Sequence, residues 1–178
     1  MSTYAITQLP LPGVLLIKPQ VSPDARGYSA ETYQAESFEA LGLGGDFAQD
    51  FVSHSKKGVI RGLHFQRAPY AQDKLVRCVY GEIFDVVADI DPSSPTYGTY
   101  VSVSLKADEQ ASVYVPGKYA HGFCVVSEEA TVEYKIRGAY KPESAGGVLW
   151  SDPLLRIAWP TQTPILSAKD ASLPPLTA

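Results

Sequence analysis

Apolar and polar residues alternate in several short runs along the chain. Residues 101–105 (VSVSL) and 111–115 (ASVYV) change character at almost every position, which is typical of a strand with one buried face. Helical spacing occurs at residues 35–41 (AESFEAL), and Gly42 follows as a stop signal. The pattern therefore predicts an all-β chain with minor helical decorations. Four further runs, enriched in Val, Ile, Tyr and Phe, are also predicted strands: residues 75–80, 82–90, 122–126 and 131–136.

Turn-forming residues separate these runs. The chain contains 14 glycines and 14 prolines, and many short strands with closely spaced turn signals are typical of a sandwich or barrel. The sequence shows neither an internal repeat nor a linker-like segment. Beyond Trp159 the chain is rich in proline, and we expect this tail to wrap the barrel. The prediction is one domain over residues 1–178, with a Pro-rich extension from about residue 160.

Composition excludes several classes of function. Hydrophobic residues make up 45% of the 178 residues and charged residues 19%, so the chain can bury a core. The formal net charge is −4 at pH 7 and there is no Lys/Arg-rich block, which argues against a nucleic-acid partner. No apolar run approaches the roughly 18 residues of a membrane helix, and the first residues lack a signal-peptide layout. We therefore expect neither nucleic-acid nor membrane binding.

Cys78 and Cys124 are the two cysteines of the chain. One pair is too few for a disulfide framework, and the spacing does not match a metal site. The simplest interpretation is two buried thiols in a reducing compartment. We therefore expect a cytoplasmic protein.

Two of the three histidines have glycine close by. His64 lies in RGLHFQ and His121 in KYAHGF, and small neighbours allow a ligand to approach the backbone; His54, in VSHSKK, has the character of an edge residue. Strand alternation places His64 and Gln66 on one face. If His64 and Tyr134 point into the barrel from different strands, they can act as base and proton donor on a bound molecule. Taken alone, each is more often a satisfied core or surface side chain.

Four cations stand in suggestive places: Arg26, Arg61, Lys74 and Lys169. A guanidinium matches the geometry of phosphate, and an ammonium suits a developing oxyanion, so a pocket lined by them could bind an anion despite the negative net charge. Taken singly, each is more often an ordinary surface charge. Arg61 and His64 differ by three positions and should face opposite sides of a strand, unless Gly62 hosts a bulge.

A metal site is poorly supported by the sequence. Jelly-roll metalloproteins of the cupin type offer two histidines and a glutamate from one motif and a further histidine from a second. Here the first motif reads GVIRGLHFQ, with Gln66 in place of the second histidine, and the second motif keeps only His121. Two imidazoles without a suitably spaced carboxylate do not make a stable divalent site. We therefore expect no metal and no cofactor.

At this point the sequence resembles a known family, the dTDP-4-dehydrorhamnose 3,5-epimerases. The matching stretches occur in order and cover nearly the whole chain. They are DARGYSAE (24–31), FAQD (47–50), KKGVIRGLHFQ (56–66), AQDKLVRCVYGEIFDVVADI (71–90), SPTYG (94–98), VPGKYAHGF (115–123), VEYK (132–135), LWSDP (149–153) and LSAKD (166–170).

The resemblance implies a cupin-type jelly roll that works as a homodimer without a metal. It implies 3,5-epimerisation of dTDP-4-dehydro-6-deoxy-D-glucose to dTDP-4-dehydro-L-rhamnose, through enolates, in dTDP-rhamnose biosynthesis. His64 would be the base, oriented by Asp170; Lys74 would stabilise the enolate oxygen, and Tyr134 would protonate from the opposite face. The family pattern also places a set of residues around the substrate, with Tyr140 stacking on the thymine base: Arg26, Glu31, Gln49, Asp50, Arg61, His121 and Lys169.

Three positions depart from the family pattern and affect substrate binding. Phe51 stands where the family commonly has Asn, Ala139 where an aromatic residue is common, and Ala145 where Glu is common, with Glu143 nearby. A competing hypothesis is therefore an epimerase of a single centre in a related nucleotide-linked 4-keto-6-deoxy sugar. Two hypotheses of a different class are a non-catalytic sugar-binding cupin and a metal-dependent cupin oxygenase or isomerase.

Overall fold

The computed structural model describes residues 4–176. Two short α-helices, α1 (Ala35–Ala40) and α2 (Ala168–Ala171), accompany the strands, and 3₁₀ turns cover Ala107–Glu109 and Pro142–Ser144. The strands are β1 (Tyr4–Gln8), β2 (Leu15–Pro19), β3 (Val21–Asp24), β4 (Gly27–Ala30), β5 (Gln49–Lys56), β6 (Ile60–Gln66), β7 (Lys74–Tyr80), β8 (Glu82–Ala88), β9 (Tyr100–Lys106), β10 (Ser112–Val115), β11 (Ala120–Val125), β12 (Glu129–Ile136) and β13 (Ala145–Gly147).

Two antiparallel sheets face each other. One has six strands in the order β1-β2-β10-β7-β12-β5, and the other has five in the order β13-β6-β11-β8-β9. Most neighbours in these sheets are distant in sequence, as in a jelly roll. The predicted all-β, cupin-type jelly roll is confirmed. The six strands and the helix predicted from periodicity are present, each end lying within two residues of the prediction.

The core lies between the two sheets. In β12 every second residue from Ala130 to Ile136 is buried, so Tyr134 points inward while its neighbours in sequence point outward. Ile83, Leu105 and Val113, from β8, β9 and β10, are fully buried in the same cluster. Burial of each aliphatic side chain stabilises the fold by about 1.5–3 kcal/mol.

A hairpin of β3 and β4 stands apart from both sheets. It pairs Val21 with Ala30 and Asp24 with Gly27, and most of its residues are exposed. Gln110 Nε2 donates to the hydroxyl of Tyr28 at 2.8 Å. The hairpin is therefore built by local pairing and buries little of its own surface.

The segment after Trp159 runs along β6. The Ile60 amide donates to the carbonyl of Ile165 at 3.1 Å, and Ile165 forms a single parallel bridge with Val59. The Ser167 hydroxyl accepts from the Asp170 amide at 3.0 Å and caps α2. This path brings α2 close to the C-terminal end of β6, where His64 lies. Among residues 4–176, neither helix has the length or apolar composition to cross a membrane.

Candidate active site

A cavity of about 450 Å³ opens between the two sheets. Strands β5, β7 and β12 supply one wall, and β6, β11 and β13 supply the opposite wall. Its lining includes nine of the twelve side chains singled out from the sequence: Gln49, Arg61, His64, Lys74, His121, Tyr134, Tyr140, Lys169 and Asp170.

A bulge in β6 brings Arg61 and His64 to the same cavity. His64 lies opposite His121 on β11, but Arg61 lies opposite Phe123, so Gly62 and Leu63 together face Gly122. Gly62 has φ +132°, and a Cβ atom there would lie 2.6 Å from the Gly122 Cα. Only glycine fits this close approach. The bulge considered from the sequence is present, and it removes the parity conflict.

His64 and Asp170 form an ion-pair-like contact between β6 and α2. His64 Nε2 donates to Asp170 Oδ1 at 2.6 Å, and the Asp170 side chain is buried. Burial lowers the pKa of His64 below its ordinary value of 6.5, against the raising effect of Asp170, and the charges of Lys74 and Lys169 lower it further. At neutral pH the imidazole is therefore uncharged, with Nδ1 free to accept a proton.

Lys74 begins β7 beside His64. Its Nζ donates to the backbone carbonyl of His64 at 3.4 Å. Burial lowers the pKa of Lys74 to about 8, and the nearby Asp85 carboxylate opposes that shift. At pH 7 the ammonium is therefore the main form, and it is poised to stabilise an oxyanion in the cavity.

Tyr134 lies on β12, in the sheet opposite His64. Burial raises the pKa of Tyr134 above its ordinary value of 10, and the charge of Asp85 adds to this, against smaller effects of Ser53 and Arg61. The phenol therefore keeps its proton across the neutral range. His64 and Tyr134 thus face the same cavity from opposite walls, one as a neutral base and the other as a protonated acid.

A second His–Asp pair is almost completely buried, with His121 at the cavity lining. His121 Nε2 donates to Asp85 Oδ2 at 2.8 Å, and the two side chains are 4% and 0% exposed. The His121 ring contacts the Tyr134 ring edge to face, with 6.1 Å between centroids. Asp85 was not among the residues singled out from the sequence. It is the only charged residue inside the apolar β8 segment IFDVVA, and that isolated charge was the available signal.

Hydrogen bonds from the Gln66 side chain hold the loop that carries Tyr140. Its amide Nε2 donates to the carbonyls of Tyr70 and Ala139, and its Oε1 accepts from the Lys141 amide. Tyr140 itself is 56% exposed at the cavity rim. The buried glutamine thus fixes the backbone on both sides of Tyr140, a role that sequence reasoning missed.

Three residues singled out from the sequence lie outside the cavity. Arg26 is exposed on the β3–β4 hairpin and pairs with Asp24. Glu31 follows that hairpin and accepts from the Tyr4 hydroxyl at 3.4 Å. Asp50 follows inward-facing Gln49 and therefore points to the outer face of the sheet, where Lys135 Nζ lies 3.0 Å from it.

The departures from the family pattern cluster at the cavity. The Phe51 ring is 50% exposed and packs against the Tyr134 ring with 5.7 Å between centroids. Ala145 lines the cavity, and Ala139 lies in the Tyr140 loop with its carbonyl bonded to Gln66. The apolar Phe51 ring therefore lies directly beside Tyr134, the candidate acid.

Potential metal ligands do not converge in the described part of the chain. Within residues 4–176, no group of three His, Cys, Asp or Glu side chains is arranged to hold a metal ion. The Nε2 atoms of both cavity histidines are already bonded to carboxylates. Cys78 and Cys124 are buried and unpaired.

Comparison with known proteins identifies the family. The family model for dTDP-4-dehydrorhamnose 3,5-epimerase matches residues 8–178. The dTDP-4-dehydrorhamnose 3,5-epimerase of Shigella flexneri is 49% identical over 161 residues, which are 90% of this chain and 89% of that protein. The dTDP-4-dehydrorhamnose 3-epimerase of Streptomyces niveus is 42% identical over 163 residues, 91% of this chain and 79% of that protein.

A solved structure agrees with the sequence comparisons. The Legionella pneumophila dTDP-6-deoxy-D-glucose-3,5-epimerase, in complex with dTDP-4-keto-L-rhamnose, superposes with a TM-score of 0.92 at 39% identity. The match covers 97% of this chain and 93% of that one. This chain therefore belongs to the dTDP-4-dehydrorhamnose 3,5-epimerase family.

Proposed function

We propose that this chain catalyses the 3,5-epimerisation of dTDP-4-dehydro-6-deoxy-D-glucose to dTDP-4-dehydro-L-rhamnose without a metal or other cofactor. The observation that carries the proposal is the placement of His64 and Tyr134 on opposite walls of one cationic cavity. Epimerisation needs a base on one side of the sugar ring and an acid on the other, because a single group on one side tends to return the proton where it came from.

The first step is removal of a proton next to a ketone. The C4 carbonyl acidifies the C–H bonds at C3 and C5, and His64 Nδ1 takes one of these protons. The electron pair of the broken C–H bond moves onto the C4 oxygen and forms an enolate. The Lys74 ammonium stabilises this charge, and one such preorganised donor contributes about 3 kcal/mol by analogy with oxyanion holes.

The second step returns a proton to the opposite face. The enolate collapses to the ketone as the carbon takes the proton of the Tyr134 hydroxyl, which inverts the centre. The resulting phenolate and the His64 imidazolium regain their starting states by exchange with solvent. Asp170 keeps the imidazole oriented and stabilises its charged form. Repetition at the second carbon completes the double epimerisation.

Cationic and aromatic residues at the cavity fit a nucleoside diphosphate. The Arg61 guanidinium is held by Ser55 Oγ at 2.9 Å, which leaves further N–H groups for phosphate. Lys169 is exposed beside Asp170 at the same cavity. We assign these two side chains to the diphosphate, Gln49 and His121 to the sugar, and Tyr140 to the base.

Solvent-exchange measurements test the reaction. The protein is incubated with dTDP-4-dehydro-6-deoxyglucose in deuterated water, and a reductase traps the product for NMR. Deuterium at both C3 and C5 is the expected result, and His64→Ala should abolish both. Absence of any label would instead indicate a sugar-binding protein without turnover, and inhibition by chelators would indicate a metal-dependent cupin.

A single-centre epimerase is the second candidate. It is favoured by the Phe51 ring packed against Tyr134 and by the similarity to a 3-epimerase from Streptomyces niveus. The same experiment separates the two candidates, because label confined to C3 assigns this activity and excludes inversion at C5.

We also infer that the chain is one domain and acts as a homodimer in the cytoplasm. β5 is an edge strand of its sheet and exposes Val52 on its outer face, and an exposed apolar edge favours pairing with another chain. Arg26 lies on the β3–β4 hairpin and Glu31 directly after it, and neither lines the cavity of its own chain. Both observations fit a dimer in which each hairpin completes the cavity of the partner subunit.

The two unpaired, buried thiols suit a reducing compartment, in line with a cytoplasmic protein.

A further inference from the structure

Asp85 is a buried carboxylate that the proposed mechanism leaves without a role. It lies on β8 between Ile83 and Val87, which point to the same core between the sheets. Its side chain is 0% exposed. Burial of a carboxylate costs several kcal/mol unless it is compensated, and the neighbouring inward positions of β8 are filled by apolar residues. The fold alone therefore does not require a charge here.

The two oxygens of Asp85 differ in their surroundings. Oδ2 accepts from His121 Nε2 at 2.8 Å. Oδ1 is buried and has no hydrogen-bond partner within residues 4–176. The carboxylate is thus only half satisfied by the protein around it, which is rare for a buried polar group and calls for a reason.

Asp85 sits behind the substrate-facing groups of the cavity. Its partner His121 lies opposite His64 across the β6–β11 pairing and contacts the Tyr134 ring. The charge of Asp85 acts on Lys74 and on Tyr134, and in each case it raises the pKa. The titratable and charged groups that line the cavity around Lys74 are Arg61 and His64 on β6, His121 on β11, Tyr134 on β12, Tyr140 in the loop after β12, and Lys169 and Asp170 on α2.

Building on the proposed epimerase function, we propose that Asp85 is a positioning residue that orients His121 and keeps Lys74 and Tyr134 in their proton-bearing forms. The Asp85 carboxylate thereby acts on both Lys74, which would stabilise the enolate, and Tyr134, which would donate the proton. A stable ammonium is needed to hold the enolate, and an intact phenol is needed to protonate it. Asp85 touches neither the substrate nor the reacting atoms and acts only through these three side chains.

The test compares Asp85→Asn with Asp89→Asn. Asp89 is equally buried just beyond the same strand, but it accepts from the Ser94 and Thr96 hydroxyls in a loop. The ionisation of Lys74 is followed by acetic anhydride labelling across a pH series, with the modified lysine quantified by mass spectrometry. The pH dependence of deuterium exchange into the substrate is measured in parallel.

In the parent protein, labelling of Lys74 should have its midpoint near pH 8. Asp85→Asn should lower that midpoint by about one unit, a tenfold change in the protonation equilibrium, and move the basic limb of the exchange rate with it. Asp89→Asn should leave both midpoints unchanged. An unchanged Lys74 midpoint in Asp85→Asn would overturn the proposal. Because labelling needs no turnover, it tests Asp85 even if the exchange assay shows that the proposed epimerase function is wrong.

Asp85→Glu covers the case in which the asparagine variant does not fold. It retains the charge but displaces it by one methylene group, so the Lys74 midpoint should stay near that of the parent. The orientation of His121 should be lost, and kcat should fall about tenfold with little change in the pH profile. Parent-like kcat in Asp85→Glu would contradict the proposed role of Asp85 in orienting His121.

Discussion

At the scale of single residues, the proposed role of His64 as a base rests on burial, which keeps the imidazole uncharged. Its lowered pKa means that kcat/KM should be at its plateau at pH 7 and should fall only as pH drops below 6.5. Protonation of the imidazole removes the base, so the acid limb reports the pKa of His64. The environment of the His64 ring thus determines at which pH kcat/KM begins to fall on the acid side.

Asp170→Asn tests whether Asp170 orients the His64 imidazole and raises its pKa. The carboxylate raises the pKa of His64, so its removal should shift the acid limb of kcat/KM to lower pH. Loss of orientation should also reduce the plateau by about 10²-fold. A pH–rate profile of the variant gives both values. A limb that moves to higher pH would contradict the assigned contact.

Arg61→Ala tests the binding of the diphosphate. Loss of a guanidinium that contacts phosphate equally in ground and transition states should raise KM by about 10- to 100-fold and leave kcat within about threefold. The matched control is Arg67→Ala, because Arg67 lies just beyond the same strand but is exposed and rests over the Phe65 ring. Steady-state kinetics of both variants decide the matter, and a loss confined to kcat would count against this role.

Some of these residues could be found from sequence and some could not. His64 and Tyr134 stood out because their residue types carry proton chemistry and their strands alternate. Asp170 follows from family resemblance alone, since 106 positions separate it from His64. Asp85 was missed because periodicity reports burial and does not report which buried group faces a site.

At the scale of elements, the bulge in β6 decides whether the site exists. Gly62→Ala would place a Cβ atom 2.6 Å from the Gly122 Cα at φ +132°. We expect it to destabilise the protein by about 2–4 kcal/mol and to displace Arg61 and His64, with loss of turnover.

Gly58→Ala is the control for this substitution. Gly58 also has positive φ, +76°, but an added Cβ would meet nothing within 4 Å. Its cost should be about 1 kcal/mol, with turnover retained. Urea unfolding and kinetics of the two variants give the comparison. Equal destabilisation by both substitutions would mean that close approach to β11 is not what requires glycine at position 62.

Periodicity predicted β7 to β12, which include the edge strand β9, but it did not mark β3, β4, β5 or α2. β3 and β4 were missed because nearly all their residues are exposed, so no apolar alternation marks them. β5 is an edge strand with two buried residues. α2 has four residues, too few for a helical period, although its Ser167 cap is a recognisable start signal.

At the scale of the whole molecule, the site is proposed to depend on two chains. Arg26→Ala and His64→Ala homodimers should each be impaired when assayed alone. After they are mixed and allowed to exchange subunits, half the dimers are mixed. Each mixed dimer then has one site with both functional residues, so activity should recover to about a quarter of the parent level. Absence of recovery, with exchange verified by mass spectrometry, would place Arg26 in the site of its own chain.

The proposed partner subunit is the part of the account that the pattern of one chain conveys least. Val52 is exposed on the outer face of an edge strand, but alternation within a single sequence does not encode what would cover it. Of the strands that form the cavity walls, β7, β11 and β12 were predicted from periodicity, whereas β5 and β13 were not. The part of the site that one chain forms was therefore more accessible from sequence than the part that we assign to a partner subunit.

The division of labour across the sugar ring is tested most directly by Tyr134→Phe in deuterated water. Loss of the phenol removes the acid and leaves the His64 base intact, so solvent exchange at C3 and C5 should be reduced much less than formation of the inverted product. NMR of the reaction mixture follows label and configuration together. Equal losses of exchange and inversion, or inversion at the parent rate, would contradict the assignment of base and acid to opposite walls.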